Sequence, residues 1–360
     1  MGRAATATIN LNAIRSNYRL AKSVAPEQNA IAVIKADAYG HGAVIVAEAL
    51  KDEVDAFAVA CIEEALELRE AGITLPILLL EGFFSADELE TICRNDLWCT
   101  IHSLEQLETL SQFQTEHLMT VWLKMDTGMH RLGIDPECYT DVYNKITALP
   151  HVKNVVLMTH FSSADELDLN FTERQTQIFE RYTATINAPV SLANSAAILA
   201  HNYTARDWQR PGIMLYGATP FAHSQPLADQ LQPAMSLTSE IIAVHDLEPG
   251  EAIGYGRTWI CERPTRVGTV AMGYADGYPR HAKNGTPVIV DGHESRLIGR
   301  VSMDMLTVDL SHIPEAKIGS KVELWGENLA ASEVAKHCDT IPYTLFTGIT
   351  RRVHKRYINR

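Results

Sequence analysis

From residue 30 to about 220 the chain alternates short apolar, β-branched runs with stretches whose apolar residues recur at helical spacing. The strand-like runs are Ile31–Ile34, Asp55–Ala60, Pro76–Leu80, Trp98–Ile101, Thr120–Met125, Asn154–Thr159 and Val190–Ala193, with helical patterns such as Ile62–Ala71 and Asp135–Ala148 between them. Strands that are apolar throughout and separated by helices predict βαβ units and a parallel sheet buried on both faces. Seven or eight such units in one half of a chain predict an α/β fold of the (β/α)8, TIM-like barrel kind rather than an open sheet.

The pattern changes after about Pro233. Ala234–His245, Thr265–Met272, Pro287–Val290, Arg296–Val301, Leu306–Leu310 and Lys321–Leu324 read as strands, punctuated by Pro-Gly, Asp-Gly and Asn-Gly turns. Only Ala331–Cys338 carries helical spacing there. The expected organisation is a barrel over residues 1–230 followed by a mostly antiparallel β domain over 231–360. The first strand, at about 6–11, is a candidate to join the β domain.

Composition narrows the function classes. The 360 residues are 46% hydrophobic and 21% charged, as in an ordinary globular protein with a substantial core. A net charge of −13 disfavours nucleic acid and anionic membranes as partners. Met1–Leu11 lacks the apolar stretch of a leader or anchor, and nowhere do eighteen apolar residues run together. The 6 cysteines form no Cys-x-x-Cys pair, which suits reduced thiols in a cytoplasmic protein. The 14 histidines include no His-x-x-x-His pair, so no metal site is expected.

In a barrel, reactive groups sit in the loops at the C-terminal ends of the strands. Lys35 and Tyr39 follow the first run, and Lys124, Asp126 and Arg131 close a later one. His160 follows Val-Val-Leu-Met-Thr, Asn194 and Ser195 follow Ser191–Ala193, and Arg210 opens Arg-Pro-Gly-Ile-Met-Leu-Tyr-Gly. This set lacks the clustered carboxylates of a magnesium or glycosidase site. It suits an anionic, planar cofactor bearing an aldehyde. Burial at a strand end disfavours a lysine's charged form and readies the amine for a Schiff base. Ser195, Tyr39 and the backbone amides near Gly212 offer donors to a phosphate.

Taken singly, each residue has a plainer reading. A lysine after an apolar strand is ordinarily a strand-end charge with a solvated head. His160 alone is a hydrogen-bonded strand-end histidine, Tyr255 a structural tyrosine in a glycine-flanked turn, and Lys124 with Arg131 a solvated loop pair. Asp276-Gly277 and Asn284-Gly285 are turn chemistry.

The motifs together carry more. With Val33–Gly42, Lys124–Gly133, Thr159–Phe161, Asn194–Ala196, Arg210–Gly217, Gly254–Arg257, Gly273–Gly277, Gly299–Met305 and Pro342-Tyr343 in this order, the chain resembles bacterial alanine racemases, which are pyridoxal-phosphate enzymes. The resemblance covers nearly the whole length. It implies a cytoplasmic, head-to-tail homodimer with shared active sites that interconverts L- and D-alanine, supplying D-alanine as a peptidoglycan precursor or consuming it. Lys35 would hold pyridoxal 5′-phosphate and act as base on one face, with Tyr255 of the partner subunit as acid and base on the other. His160 would lie beside the cofactor ring, Arg131 at its phenolic oxygen and Arg210 at its ring nitrogen. Tyr39, Ser195, Gly212, Ile213 and Tyr343 would hold the phosphate. Met303 of the partner subunit would join Arg131 at the substrate carboxylate, while Tyr274, Arg280 and Arg300 line the access route and Asp304 supports them. A lysine matching Lys124 is often carbamylated in this family, and the carbamate orients the arginine.

Two other readings stand beside this one: a pyridoxal-phosphate decarboxylase of the same architecture, and a non-catalytic pyridoxal-phosphate-binding protein. The decarboxylase is expected to carry an acidic group, not Arg210, at the ring nitrogen; the carrier has no use for a β domain with Tyr255. Two departures from the family pattern are Ser302, where many relatives carry cysteine, and the basic run Arg351–Arg356, which leaves the packing of the C-terminal segment open.

Overall fold

The computed structural model describes residues 2–359; Met1, which opens the stretch read as leaderless, lies outside them. Eight parallel strands close into a barrel in chain order: Asn29–Val33, Ala56–Val59, Ile77–Leu79, Leu97–Ile101, Met119–Lys124, Val152–Met158, Val190–Ser191 and Trp208–Gln209. The last is two residues long and absent from the sequence reading. It closes the barrel by pairing with Ser191 on one side and with Asn29 and Ala30 on the other.

The two-residue side-chain period sends Thr120, Trp122 and Lys124 into the barrel from one strand. Trp122 stacks on Trp98 at 5.9 Å and meets Trp208 edge-on at 5.7 Å, which plugs the barrel centre with indole. Lys124 is thereby left at the C-terminal mouth, where it lines a cavity.

Strand Thr6–Asn10 belongs to the other sheet. It pairs antiparallel with Met235–Leu247 and parallel with His354–Ile358. Asn10 then caps the helix Leu11–Val24 by accepting from the Asn12 and Ala13 amides. That helix turns Leu11, Ile14, Asn17, Tyr18 and Ala21 inward, and Asn17 donates to the Leu215 and Gln232 carbonyls. The two sheets are therefore stitched together at the start of the chain.

Met235–Leu247 is the spine of the β domain, pairing also with Thr265–Val270 and Lys321–Trp325. Three expectations need correction here. Arg296–Val301 is not a strand: His293–Arg296 pairs with Pro287–Val290, and the chain then turns at Gly299 with φ of +82°. Ala331–His337 is not the only helix, because Pro342 opens a second at Pro342–Thr347, its missing N–H costing nothing in the first turn. The basic C-terminal run is ordered. His354–Ile358 is a strand, Arg352 pairs with Asp276 (3.2 Å) and Asp304 (2.7 Å), and Lys355 pairs with Asp37 (2.5 Å). Asp276, read as a turn residue, is a fully buried carboxylate that also takes Arg3 and the Gly273 amide.

Candidate active site

The strand Asn29–Val33 hands directly into a turn of unusual hand. Ala36, Asp37, Ala38 and Tyr39 all have φ between 51° and 54°, so four non-glycine residues in succession adopt the left-handed helical conformation. Each costs about 1–2 kcal/mol in crowding between Cβ and a carbonyl, so the surroundings must impose the turn. Gly40 continues it at φ of 79°, and a Cβ there would come 2.2 Å from the Phe346 carbonyl oxygen. His41 Nδ1 faces the Tyr39 and Ala38 carbonyls at 2.9 and 3.1 Å, so that nitrogen carries the proton and donates.

Lys35 and Tyr39 both line a cavity of about 660 Å³ at the barrel mouth. Lys124, Arg131, His160, Ser195, Arg210, Gly212, Ile213 and Tyr343 line the same cavity, so ten sequence-predicted residues from six separated segments meet there. The volume is that of a cofactor-sized site. Five groups set its chemistry. Arg210 is buried and donates to Ser191 Oγ (2.5 Å) and to the Thr159 (2.6 Å) and Leu192 (3.2 Å) carbonyls, which fixes its guanidinium. Burial lowers its pKa to about 10, which still leaves it cationic at neutral pH. Burial, then Arg210, Lys124, Arg131 and Lys35, hold His160 well below the usual imidazole range, so its ring is neutral. Burial and then the same arginines bring Lys124 down to about 8. The carboxylate at that strand end does not help: Asp126 accepts from the Gly128 and His130 amides of its own loop.

At the opposite wall a cradle is visible. Ser195 Oγ accepts from the Gly212 amide at 2.8 Å, and a Cβ at Gly212 would lie 2.8 Å from the Tyr39 hydroxyl. Tyr39 stacks on Tyr216 at 4.7 Å and stands 5.8 Å from Tyr343. Hydroxyls, an amide and a side-chain-free Cα converge on one spot, as an anion such as phosphate requires. The donor set therefore fits a planar aldehyde with an anionic tail: an amine, a phosphate-sized cradle and fixed cations line one cavity. Tyr216 was not singled out from sequence. Its signal was present in the Arg-Pro-Gly-Ile-Met-Leu-Tyr-Gly motif, but a buried tyrosine supporting another tyrosine has no spacing signature.

The remaining predicted residues lie elsewhere. Tyr255 is 69% exposed, at the tip of a hairpin formed by Ala252–Ile253 and Trp259–Ile260. Gly254 and Gly256 flank it with φ of 67° and 71°, and a small separate core of Ile253, Cys261, Val267 and Ile298 underlies it. Met303 and Tyr274 are exposed too, and Arg280 and Arg300 share a smaller cleft with Lys283. Asp304 pairs with Arg352. None of these six lines the Lys35 cavity within the chain.

The wall behind Tyr39 should be acid-sensitive. Burial lowers the His41 pKa from 6.5 to about 4. Above the unfolded value the ring is neutral in both states and its contribution is fully present. As pH falls toward about 4 only the unfolded chain takes the proton, and about 3 kcal/mol of stability is expected to go. Urea unfolding at neutral pH and near pH 4.5 measures this, and His41→Gln is expected to flatten the difference. A parallel loss in the variant would remove His41 as the cause.

Comparison with known proteins agrees along the whole chain. Residues 9–220 match the family model of the alanine racemase N-terminal domain, and residues 234–357 match that of the C-terminal domain. An alanine racemase of Pseudomonas syringae pv. syringae is 56% identical over 355 residues, 99% of each chain. A catabolic alanine racemase of Pseudomonas putida is 55% identical over 356 residues, again 99% of each. The crystal structure of the biosynthetic alanine racemase from Pseudomonas aeruginosa superposes with a TM-score of 0.97 at 48% identity, covering 99% of this chain and 100% of that one. The alanine racemase structure from Acinetobacter baumannii gives 0.93 at 37% identity, covering 99% and 100%.

Proposed function

The chain belongs to the alanine racemase family, and from that membership we infer that it interconverts L- and D-alanine on pyridoxal 5′-phosphate, using two bases. The observation that carries the two-base reading is the split of the predicted residues: Lys35 faces a cationic cavity while Tyr255 and Met303 stand exposed on the other domain. A head-to-tail homodimer accounts for that split, with each β domain completing the partner's barrel.

Racemisation removes the Cα proton from one face and returns a proton to the other. One rigidly held base reaches only one face, so two groups must flank the reacting carbon. Lys35 serves one face and the partner subunit's Tyr255 the other. Pyridoxal phosphate held on Lys35 supplies the electron sink that accepts the pair left behind by the departing proton. Tyr39, Ser195, Gly212, Ile213 and Tyr343 would hold the phosphate. Arg131 and the partner subunit's Met303 orient the substrate carboxylate. Tyr274, Arg280, Arg300 and Asp304 of the β domain shape the approach to the partner's cavity. His160, kept neutral, packs its flat ring beside the cofactor without adding another positive charge.

Arg210 favours racemisation over decarboxylation. A guanidinium donates and cannot accept, so it holds a ring nitrogen in its unprotonated form. With that nitrogen unprotonated, the cofactor would supply only a weak electron sink, which suits proton exchange better than loss of CO₂. A decarboxylase calls for a carboxylate at the same place.

Lys124 is assigned as a carbamate. A pKa of about 8 leaves a useful share of free amine at neutral pH. Its nitrogen lone pair attacks the carbon of CO₂, the N–H proton leaves to solvent, and the product is an anion that pairs with Arg131. Intact mass at neutral pH, supplied with bicarbonate, is expected to show one added CO₂, lost in Lys124→Met. Full activity with a bare amine at Lys124 would sink this assignment.

The function is tested by circular dichroism with a panel of L-amino acids, with and without pyridoxal phosphate. Decay of the alanine signal to zero without gas release is expected, dependent on the cofactor. Gas release would favour the decarboxylase, and an unchanged signal the carrier.

A further inference from the structure

Lys35 owes its place to the left-handed turn that follows it, and of Ala36–Tyr39 only Asp37 is a residue type that visits that hand readily. The constraint comes from outside the turn. Glu64, in the first turn of the helix Ile62–Glu70, divides its carboxylate between two backbone amides: Oε1 accepts from Ala36 N at 2.6 Å, and Oε2 from Ala60 N at 2.8 Å. Ala36 N is the first amide after Lys35, and Ala60 N is the first beyond the neighbouring strand Ala56–Val59. One side chain thus locks the exits of two adjacent barrel strands to each other. At the far end, Asp37 accepts from Ala43 N at 2.8 Å and from Lys355 Nζ at 2.5 Å, tying the turn to the C-terminal strand. The turn closes on itself through Ala38 N to Ile34 O and Gly42 N to Asp37 O, both at 2.9 Å.

We propose that Glu64 is a positioning residue for Lys35: by bridging the Ala36 and Ala60 amides it sets the left-handed turn that aims Lys35 and Tyr39 into one cavity. A helix of either hand brings residues four apart to one face, and here those residues are the amine and the hydroxyl that are to grip the aldehyde and the phosphate of one ligand. Charge-assisted bonds from a carboxylate to two N–H groups are the strong kind, and both must accept. A carboxamide in its place keeps the shape but turns one acceptor into a donor that faces a backbone N–H. The left-handed residues are then free to relax, and Lys35 moves with them. The proposal rests on the reading of Lys35 as the cofactor lysine.

The test follows cofactor capture rather than turnover. Cofactor-free native protein and Glu64→Gln are mixed with pyridoxal phosphate, and the rise of the visible absorbance of the lysine-bound cofactor is timed well below both melting temperatures. The variant is expected to gain the band roughly 10- to 100-fold more slowly, the scale on which an ångström of misplacement acts. Its kcat should fall with little change in KM for alanine. A role confined to fold stability would lower the melting temperature and leave capture by the folded protein at the native rate, and that result overturns the proposal. Should Glu64→Gln not fold, Asp37→Asn probes the same frame from its other end, since asparagine tolerates the left-handed region and keeps an oxygen for Ala43 N. It is expected to slow capture through the lost pair with Lys355, and native-rate capture overturns the proposal again. A native chain that never gains the band removes the cofactor reading, and the proposal with it. A native chain that gains it no faster than Glu64→Gln removes the proposal alone.

Discussion

Lys35→Ala is expected to lose racemisation by at least roughly 10⁴-fold, because on the proposed reading it removes the covalent attachment point and one of the two bases together. The fold should not go with it. Lys35 is only half-buried, and no hydrogen bond or ion pair of its amine is found among the described residues. Melting temperature is therefore expected to stay near the native value. The cradle of Tyr39, Ser195, Gly212 and Tyr343 should still bind pyridoxal phosphate, though without the visible band and only until dialysis removes it. Turnover retained by a folded Lys35→Ala protein would refute the assignment.

Tyr255→Phe is expected to cost on the order of 10²- to 10⁴-fold, and its signature is directional. The two enantiomers are equally stable, so kcat/KM must stay equal in both directions whatever the mutation does. The asymmetry shows instead in exchange of the Cα hydrogen with D₂O. With Lys35 intact, one enantiomer should still exchange its hydrogen into recovered substrate, while the other exchanges poorly. Equal, small losses for both would count against two bases. The same pair of variants tests the shared site. Random pairing of Lys35→Ala with Tyr255→Phe chains leaves one intact site in each mixed dimer, restoring roughly a quarter of native activity. If both bases came from one chain, mixing would restore nothing.

Most of the barrel was legible because its short, β-branched strands are apolar on both faces and alternate with longer amphipathic stretches. Trp208–Gln209 escaped because two residues leave no period to detect; only its pairing with both neighbours defines it as a strand. In the β domain, Leu297, Ile298 and Val301 mimic a strand by composition. Ile298 is buried in the small core beneath the Tyr255 hairpin, whereas Leu297 and Val301 pack into the main core, with Gly299 turning the chain between them. The site residues were legible as types at strand ends, where the barrel converts sequence position into spatial neighbourhood. The left-handed turn was not. Ala-Asp-Ala-Tyr contains no glycine to announce it, and the groups that impose it, Glu64 and Lys355, come from distant segments. The basic C-terminal run looked like an unpaired tail for the same reason: its acidic partners Asp37, Asp276 and Asp304 are spread over the chain.

The brace between Asp37 and Lys355 spans 318 residues, and the strand Thr6–Asn10 finds both of its neighbours in segments made much later. Contacts of such long separation are slow to form. During synthesis the lysine-bearing turn has to wait, because the strand that steadies it is made some 318 residues later. Until that strand is made, a growing chain carries Lys35 on a turn held at one end only, by Glu64. The order of synthesis thus separates the appearance of Lys35 from the fixing of its surroundings.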